Sequence, residues 1–73
     1  MTADEIMRYN IRFLRKNYDL TLEELADRSR IDQHILEAME NNEPFRIEYF
    51  FDLCDYYRIT PYRMFGPIVN LLN

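Results

Sequence analysis

Seventy-three residues make at most one domain, and a domain of this size buries only about 60% of the surface its unfolded chain exposes, so it gains from a partner. An apolar fraction of 48%, with six tyrosines and five phenylalanines, excludes a disordered chain, and a single glycine with three prolines argues for helices over a strand-and-turn architecture. The formal net charge of −4 opposes nucleic-acid binding, whose affinity comes largely from neutralising phosphates, unless the basic side chains gather on one face.

The first predicted helix runs from about Asp4 to Tyr18. Met7, Ile11, Leu14 and Tyr18 recur at helical spacing as its buried stripe, flanked by Ile6 and Phe13. Arg8, Arg12, Arg15 and Lys16 lie opposite, so this segment is basic although the chain is acidic. For Arg8 and Arg12 the expectation is a solvated face. Thr21, followed three residues later by Glu24, is a capping box, and Leu20 and Leu25 stand where a hydrophobic staple closes. The second helix then runs from Leu22 to about Arg28, with Leu22, Leu25 and Ala26 apolar and Ala26 small enough for another helix to approach. At barely two turns it depends on tertiary packing.

Ser29-Arg30-Ile31 breaks the chain, and Asp32 caps a third helix from Gln33 to about Asn41, with Leu36 and Met39 inward. Asn41-Asn42 closes it, because asparagine tolerates the left-handed conformation, and Pro44 bars the residue before it from helix. A fourth helix covers about Arg46 to Tyr57. Its expected buried face is Ile47, Phe50, Phe51, Cys54 and Tyr57 with Leu53 alongside, leaving Tyr49, Asp52 and Tyr56 on the other side. Thr60-Pro61 opens a short fifth helix that stops at Gly66. Residues 1–66 thus read as one all-α domain, and residues 67–73 as an apolar tail carrying Ile68, Leu71 and Leu72. There is no internal repeat, low-complexity stretch or linker.

Chemistry-bearing residues are few. One cysteine, Cys54, cannot form an internal disulfide, and together with the one histidine, His34, it falls short of metal-site spacing. No metal and no cofactor are therefore expected. Cys54 sits on an apolar face and reads as core. His34 has no nucleophile or metal partner at motif spacing, so the chain does not read as an enzyme. The charged N-terminal stretch and the lack of a long apolar run predict no secretory signal, no membrane span and cytoplasmic residence.

The run IRFLRKNYDLTLEELADRSRIDQHILEAMENNE, residues 11–43, resembles the Cro/phage-repressor (Xre) family of helix-turn-helix proteins. The resemblance is carried by Ile11-Arg12 and Arg15, the cap Thr21, the pair Leu25-Ala26, Ile31 after the turn, and Met39-Glu40-Asn41-Asn42 at the end of helix three. IEYFFDLCDYYRITPYRMF looks like the fourth and fifth helices, so the likeness covers about residues 6–65. It implies a five-helix lambda-repressor-like domain with its helix-turn-helix unit at residues 21–42 and an ion pair between Arg15 and Glu40. It also implies that helix three enters the major groove with Gln33, His34 and Glu37 at base edges. Glutamine pairs bidentately with adenine, and a carboxylate accepts from cytosine N4; Ile35, if outward, meets a thymine methyl.

Phosphate contacts would come from the N–H groups behind Thr21 and from Arg30, Asn41 and Arg46, with Arg12 or Lys16 nearby. The implied partner is double-stranded DNA, bound as a homodimer whose recognition helices stand ~34 Å apart on a palindromic site. Tyr49, Tyr56, Ile68, Leu71 and Leu72 are hard to bury in one copy of so short a chain, and are the expected dimer or partner surface.

The chain departs from the family at four places. The turn glycine is Arg30, the closing glycine is Asn42, and the glutamine that opens helix two is Leu22. Helix three is acidic, with Asp32, Glu37 and Glu40 and no Lys or Arg. These departures keep a second function in view: a protein-interaction module that retains the fold, has lost the DNA contacts and modulates another regulatory protein.

Overall fold

Two reciprocal capping boxes open the first two helices of the computed structural model, which describes residues 1–71. In α1 (Ala3–Asn17) the Thr2 hydroxyl accepts from the Glu5 N–H at 3.1 Å, and the Glu5 carboxylate accepts from the Thr2 N–H at 2.9 Å. In α2 (Leu22–Ser29) Thr21 and Glu24 make the same exchange at 3.0 and 2.9 Å. The first box has the same spelling as the second and lay outside the expected span, so α1 starts a residue earlier than its apolar rhythm indicates. α3 (Gln33–Glu40) is capped by Asp32, whose carboxylate accepts from the His34 N–H at 2.8 Å. α4 (Ile47–Tyr57) has Arg46 at its N-cap, and α5 (Pro61–Met64) is capped by Thr60 with Pro61 in its first turn. A single 3-10 turn, Ile68–Asn70, follows, and among the described residues there is no strand.

The core takes Met7, Ile11 and Leu14 from α1, Leu25 from α2, Leu36 and Met39 from α3, Phe50, Leu53 and Cys54 from α4, and Met64 from α5. α2 and α3 pack on each other, α1 lies against α3 and α5, and α4 joins α2 to α5. Each large apolar side chain buried this way is worth roughly 1.5–3 kcal/mol, so packing, not propensity, holds the eight-residue helices α2 and α3. Leu20 and Leu25, the staple positions of α2, are both buried. Burial pushes the Cys54 thiol up to about 11, which keeps it protonated. No helix of the described chain is long and apolar enough to cross a membrane.

The ends of α1 to α4 are closed without glycine. Asp19, Arg30, Asn42 and Arg58, one at each end, adopt left-handed backbone with φ of 54°, 66°, 60° and 58°. After α1, α3 and α4 the next N–H reaches back to an otherwise orphaned carbonyl: Leu20 to Arg15, Glu43 to Ala38 and Ile59 to Cys54, at 3.0–3.1 Å. Leu20, Ile31 and Ile59, which follow three of these residues, are buried. Burying the next apolar side chain offsets the ~1–2 kcal/mol that left-handed backbone costs a residue with a Cβ.

The structure corrects six apolar assignments. Tyr18 is the C-cap of α1 and lies exposed, not on the buried stripe. On α4 the buried arc is Phe50, Leu53 and Cys54 with Tyr57 half-buried, while Ile47 and Phe51 are exposed and Tyr49 and Tyr56 pack partly against the core. Apolar and aromatic residues surround α4 almost completely, so its sequence leaves the inward arc open, and the neighbouring helices choose it. Leu71 is 4% exposed and belongs to the core, not to a free surface, because the 3-10 turn brings it back onto the core cluster. Ile68 is half-buried, and Leu72 lies outside the described residues.

The helix ends give a stability prediction. Arg30→Gly removes the ~1–2 kcal/mol left-handed cost but adds ~0.4–1 kcal/mol of unfolded-chain entropy, so a net gain between zero and about 1.5 kcal/mol is expected. Asn42→Gly gains less, because asparagine already tolerates this backbone. Urea midpoints of the two variants decide the matter; an equal or smaller gain for Arg30→Gly would contradict the strain assigned to it.

Candidate nucleic-acid interface

α3 is the helix on which both functional expectations rest, and its C-terminal end is gripped by α1. Arg15 donates from Nε to Glu40 Oε2 at 2.7 Å and from Nη2 to Glu40 Oε1 at 2.9 Å, and its Nη1 donates to the Leu20 carbonyl at 2.8 Å. The two side chains are only 14% and 4% exposed. The hydrogen-bonded carboxylate holds the Arg15 guanidinium above its ordinary pKa, so it stays charged despite its burial.

Arg12 donates from Nη2 to the Glu40 carbonyl at 3.0 Å, and its Nε lies 3.7 Å from the Glu40 carboxylate. Arg8 donates from Nη1 to the carbonyls of Ala38 and Met39 at 2.7 and 3.1 Å. Its Nε binds Asp4 at 2.9 Å, and its guanidinium carbon lies 5.2 Å from the Phe45 ring centroid. Three arginines on one edge of α1 thus converge on the last turn of α3. That turn offers unpaired carbonyls and the negative end of the helix dipole, where cations are favoured. Arg8, with its side chain 13% exposed, is therefore not part of a solvated face, which corrects the sequence reading, whereas Arg12 stays exposed while reaching the Glu40 carbonyl. Their acceptors lie about thirty residues away in sequence, beyond the reach of any local pattern.

A second brace had no sequence signal of its own. Asn10 is buried among the apolar residues of α1 and donates from Nδ2 to the carbonyls of Met64 and Gly66 at 2.8 and 2.9 Å. It ties α1 to the end of α5 and satisfies carbonyls that α5 leaves unpaired.

The other side of α3 faces outward. Leu36 and Met39 are fully buried, while the His34 side chain is 93% exposed. Gln33 and Glu37 are half-buried, and Gln33 Nε2 donates to Glu37 Oε1 at 3.1 Å. His34 Nδ1 lies 3.1 Å from the Asp32 carboxylate, which the His34 backbone N–H holds below its ordinary pKa. Ile35 packs partly against the core, so it offers little to a groove.

Arg30 is exposed in the turn that joins α2 to α3, Asn41 is the exposed C-cap of α3, and Arg46 is exposed at the head of α4, donating to Glu48 at 2.8 Å. Thr21 is exposed, but its N–H and hydroxyl are both engaged by Glu24, so the first donor of α2 already faces a carboxylate. The structure therefore brings Gln33, His34 and Glu37 onto one edge of α3, with Arg30 at the turn leading into it. Residues 21–42 carry six acidic and two basic side chains; only the charge of Glu40 is cancelled by a bidentate partner.

No family model, curated protein or solved structure matches this chain.

Two measurements follow. Glu40→Ala strands Arg15 in a shielded site and is expected to cost about 3 kcal/mol; a loss below about 1 kcal/mol by chemical denaturation would mark the pair as an ordinary surface contact. The capping boxes predict an acid response as well. Backbone N–H donors of Thr2 and Thr21 hold Glu5 and Glu24 below the ordinary value of 4.5. A depressed folded-state pKa means that their stabilisation is present above pH 4.5 and is lost as pH falls through the lower folded value. Glu24→Gln keeps the box but cannot titrate, so its urea midpoint should fall less than that of the parent chain over this acid range.

Proposed function

We propose that this chain is a sequence-specific DNA-binding transcriptional regulator with a lambda-repressor-like helix-turn-helix domain, reading duplex DNA through α3 as a homodimer. The observation that carries the reading is the outward edge of Gln33, His34 and Glu37 on a helix whose far end is clamped by Arg8, Arg12 and Arg15. A helix held at its buried end presents the opposite edge with little freedom, which is what base recognition requires. The Gln33–Glu37 bond uses one amide N–H and one carboxylate oxygen. The glutamine oxygen remains able to accept from adenine N6, and the second carboxylate oxygen to accept from cytosine N4. Arg30 and Arg46, exposed before α3 and α4, are the cations that would meet phosphate.

Support for pairing comes from apolar side chains other than those first expected. Tyr49, Tyr56 and Leu71 are wholly or partly in the core, whereas Ile47, Phe51, Tyr62 and Val69 are exposed. Reading a palindromic site as a dimer would require two α3 edges ~34 Å apart.

The acidic balance of residues 21–42 and the internal use of the α1 arginines favour a second reading, an interaction module that meets the basic surface of another regulator through the same edge. Few free cations near α3 means little counterion release.

Binding to random duplex, followed by fluorescence anisotropy against salt, separates the two. Two phosphate-facing arginines per subunit give an expected slope of log K on log salt of about −3 to −4 for a dimer. Gln33→Ala should relax discrimination at one base position by ~1–3 kcal/mol. No binding at low salt, or a slope near zero, ends the DNA reading. Partner capture that Glu37→Lys abolishes would then support the interaction module.

A further inference from the structure

A cleft on another side of the molecule has its own chemistry. Tyr18, at the end of α1, stacks on Tyr57, near the end of α4, with ring centroids 5.6 Å apart and planes 17° from parallel. Tyr56 meets Tyr57 edge-on at 5.1 Å. Together with Leu20, Arg28 and Arg58, these rings line an open cleft of about 290 Å³ where α1, α2 and α4 end. No carboxylate lines it, although Asp19 and Asp55 are close in sequence. Among the described residues neither Arg28 nor Arg58 forms an ion pair, and Arg28 meets Glu24 only through space. The cleft thus joins aromatic faces, on which a flat ring stacks, to two planar guanidiniums, which match phosphate oxygens in pairs.

We propose that this cleft binds a planar aromatic phosphate of mononucleotide size, its ring against Tyr18, Tyr56 and Tyr57 and its phosphate between Arg28 and Arg58. Each element of the pocket then has a role. Leu20 and the tyrosines exclude water from one face of the ring. Arg28 belongs to α2 and Arg58 to the C-cap of α4, so a phosphate held by both links the two helices. Arg28 lies two residues before Arg30 and the turn into α3, so the link reaches the element that positions that helix. The site stands whether or not α3 reads DNA.

Isothermal titration of the full chain with adenosine monophosphate, adenosine and inorganic phosphate tests the assignment. The nucleotide is expected to bind about tenfold or more tightly than either fragment, because only it engages rings and guanidiniums together. Amide shifts in NMR spectra should cluster at Tyr18, Leu20, Arg28 and residues 56–58. Arg58→Gln and Tyr18→Ala alter exposed side chains, so the fold should persist, as circular dichroism will show, and each should weaken the nucleotide by about tenfold. An additional Arg28→Gln arm covers the case in which Arg58 is needed to end α4. Nucleotide binding no tighter than inorganic phosphate, unchanged affinity in all three variants, or shifts centred elsewhere would overturn the proposal.

Discussion

The bidentate contact between Arg15 and Glu40 is the constraint around which the domain is arranged. It joins the first helix to the end of the third at 2.7 and 2.9 Å, under cover of the surrounding chain. A buried carboxylate is tolerable only when its lone pairs are occupied by a well-placed cation, and a planar guanidinium occupies both at once. Arg12 and Arg8 extend the same contact to the backbone carbonyls of Ala38, Met39 and Glu40. The helix that carries the candidate recognition edge is therefore held by charge at one end and by Leu36 and Met39 along its inner side.

This arrangement resolves where the positive charge of α1 goes, and sharpens the functional question. The segment that looked like a basic surface turns much of its charge inward. What remains near α3 is Arg30 and Arg46 among several carboxylates. With few exposed cations beside α3, the proposed recognition rests on base-edge fit more than on bulk attraction. The same distribution suits an acidic edge meeting a basic protein surface.

The near-absence of glycine makes the helix ends a second organising theme. Each of α1 to α4 stops at a residue with a side chain in left-handed backbone, and three of those stops are followed by a buried leucine or isoleucine. The chain thus turns where an apolar residue is drawn into the core, and the core, more than local preference, sets the turns. Arg58 is one of these stops and also lines the tyrosine cleft, so backbone economy and surface chemistry meet at one residue.

Several features were readable along the chain because their causes are local. The capping box at Thr21, the cap at Asp32, the Thr60-Pro61 start and the inward positions of Leu25, Leu36 and Met39 depend on residues within a turn or two of one another. The all-helical class followed from the same patterns. What the sequence left open depends on partners distant along the chain. Nothing near Arg8 announces the carbonyls it meets on α3, nothing near Asn10 announces the end of α5, and nothing in a helix apolar nearly all round selects Phe50, Leu53 and Cys54 over Ile47 and Phe51. Local sequence determines which segments become helices and where they begin, because capping and periodicity act over a single turn. Only the tertiary structure decided which face of α4 is buried, which arginines are used internally and that Leu71 belongs to the core, because those choices arise when separate helices compete for the same apolar surface and the same unpaired carbonyls.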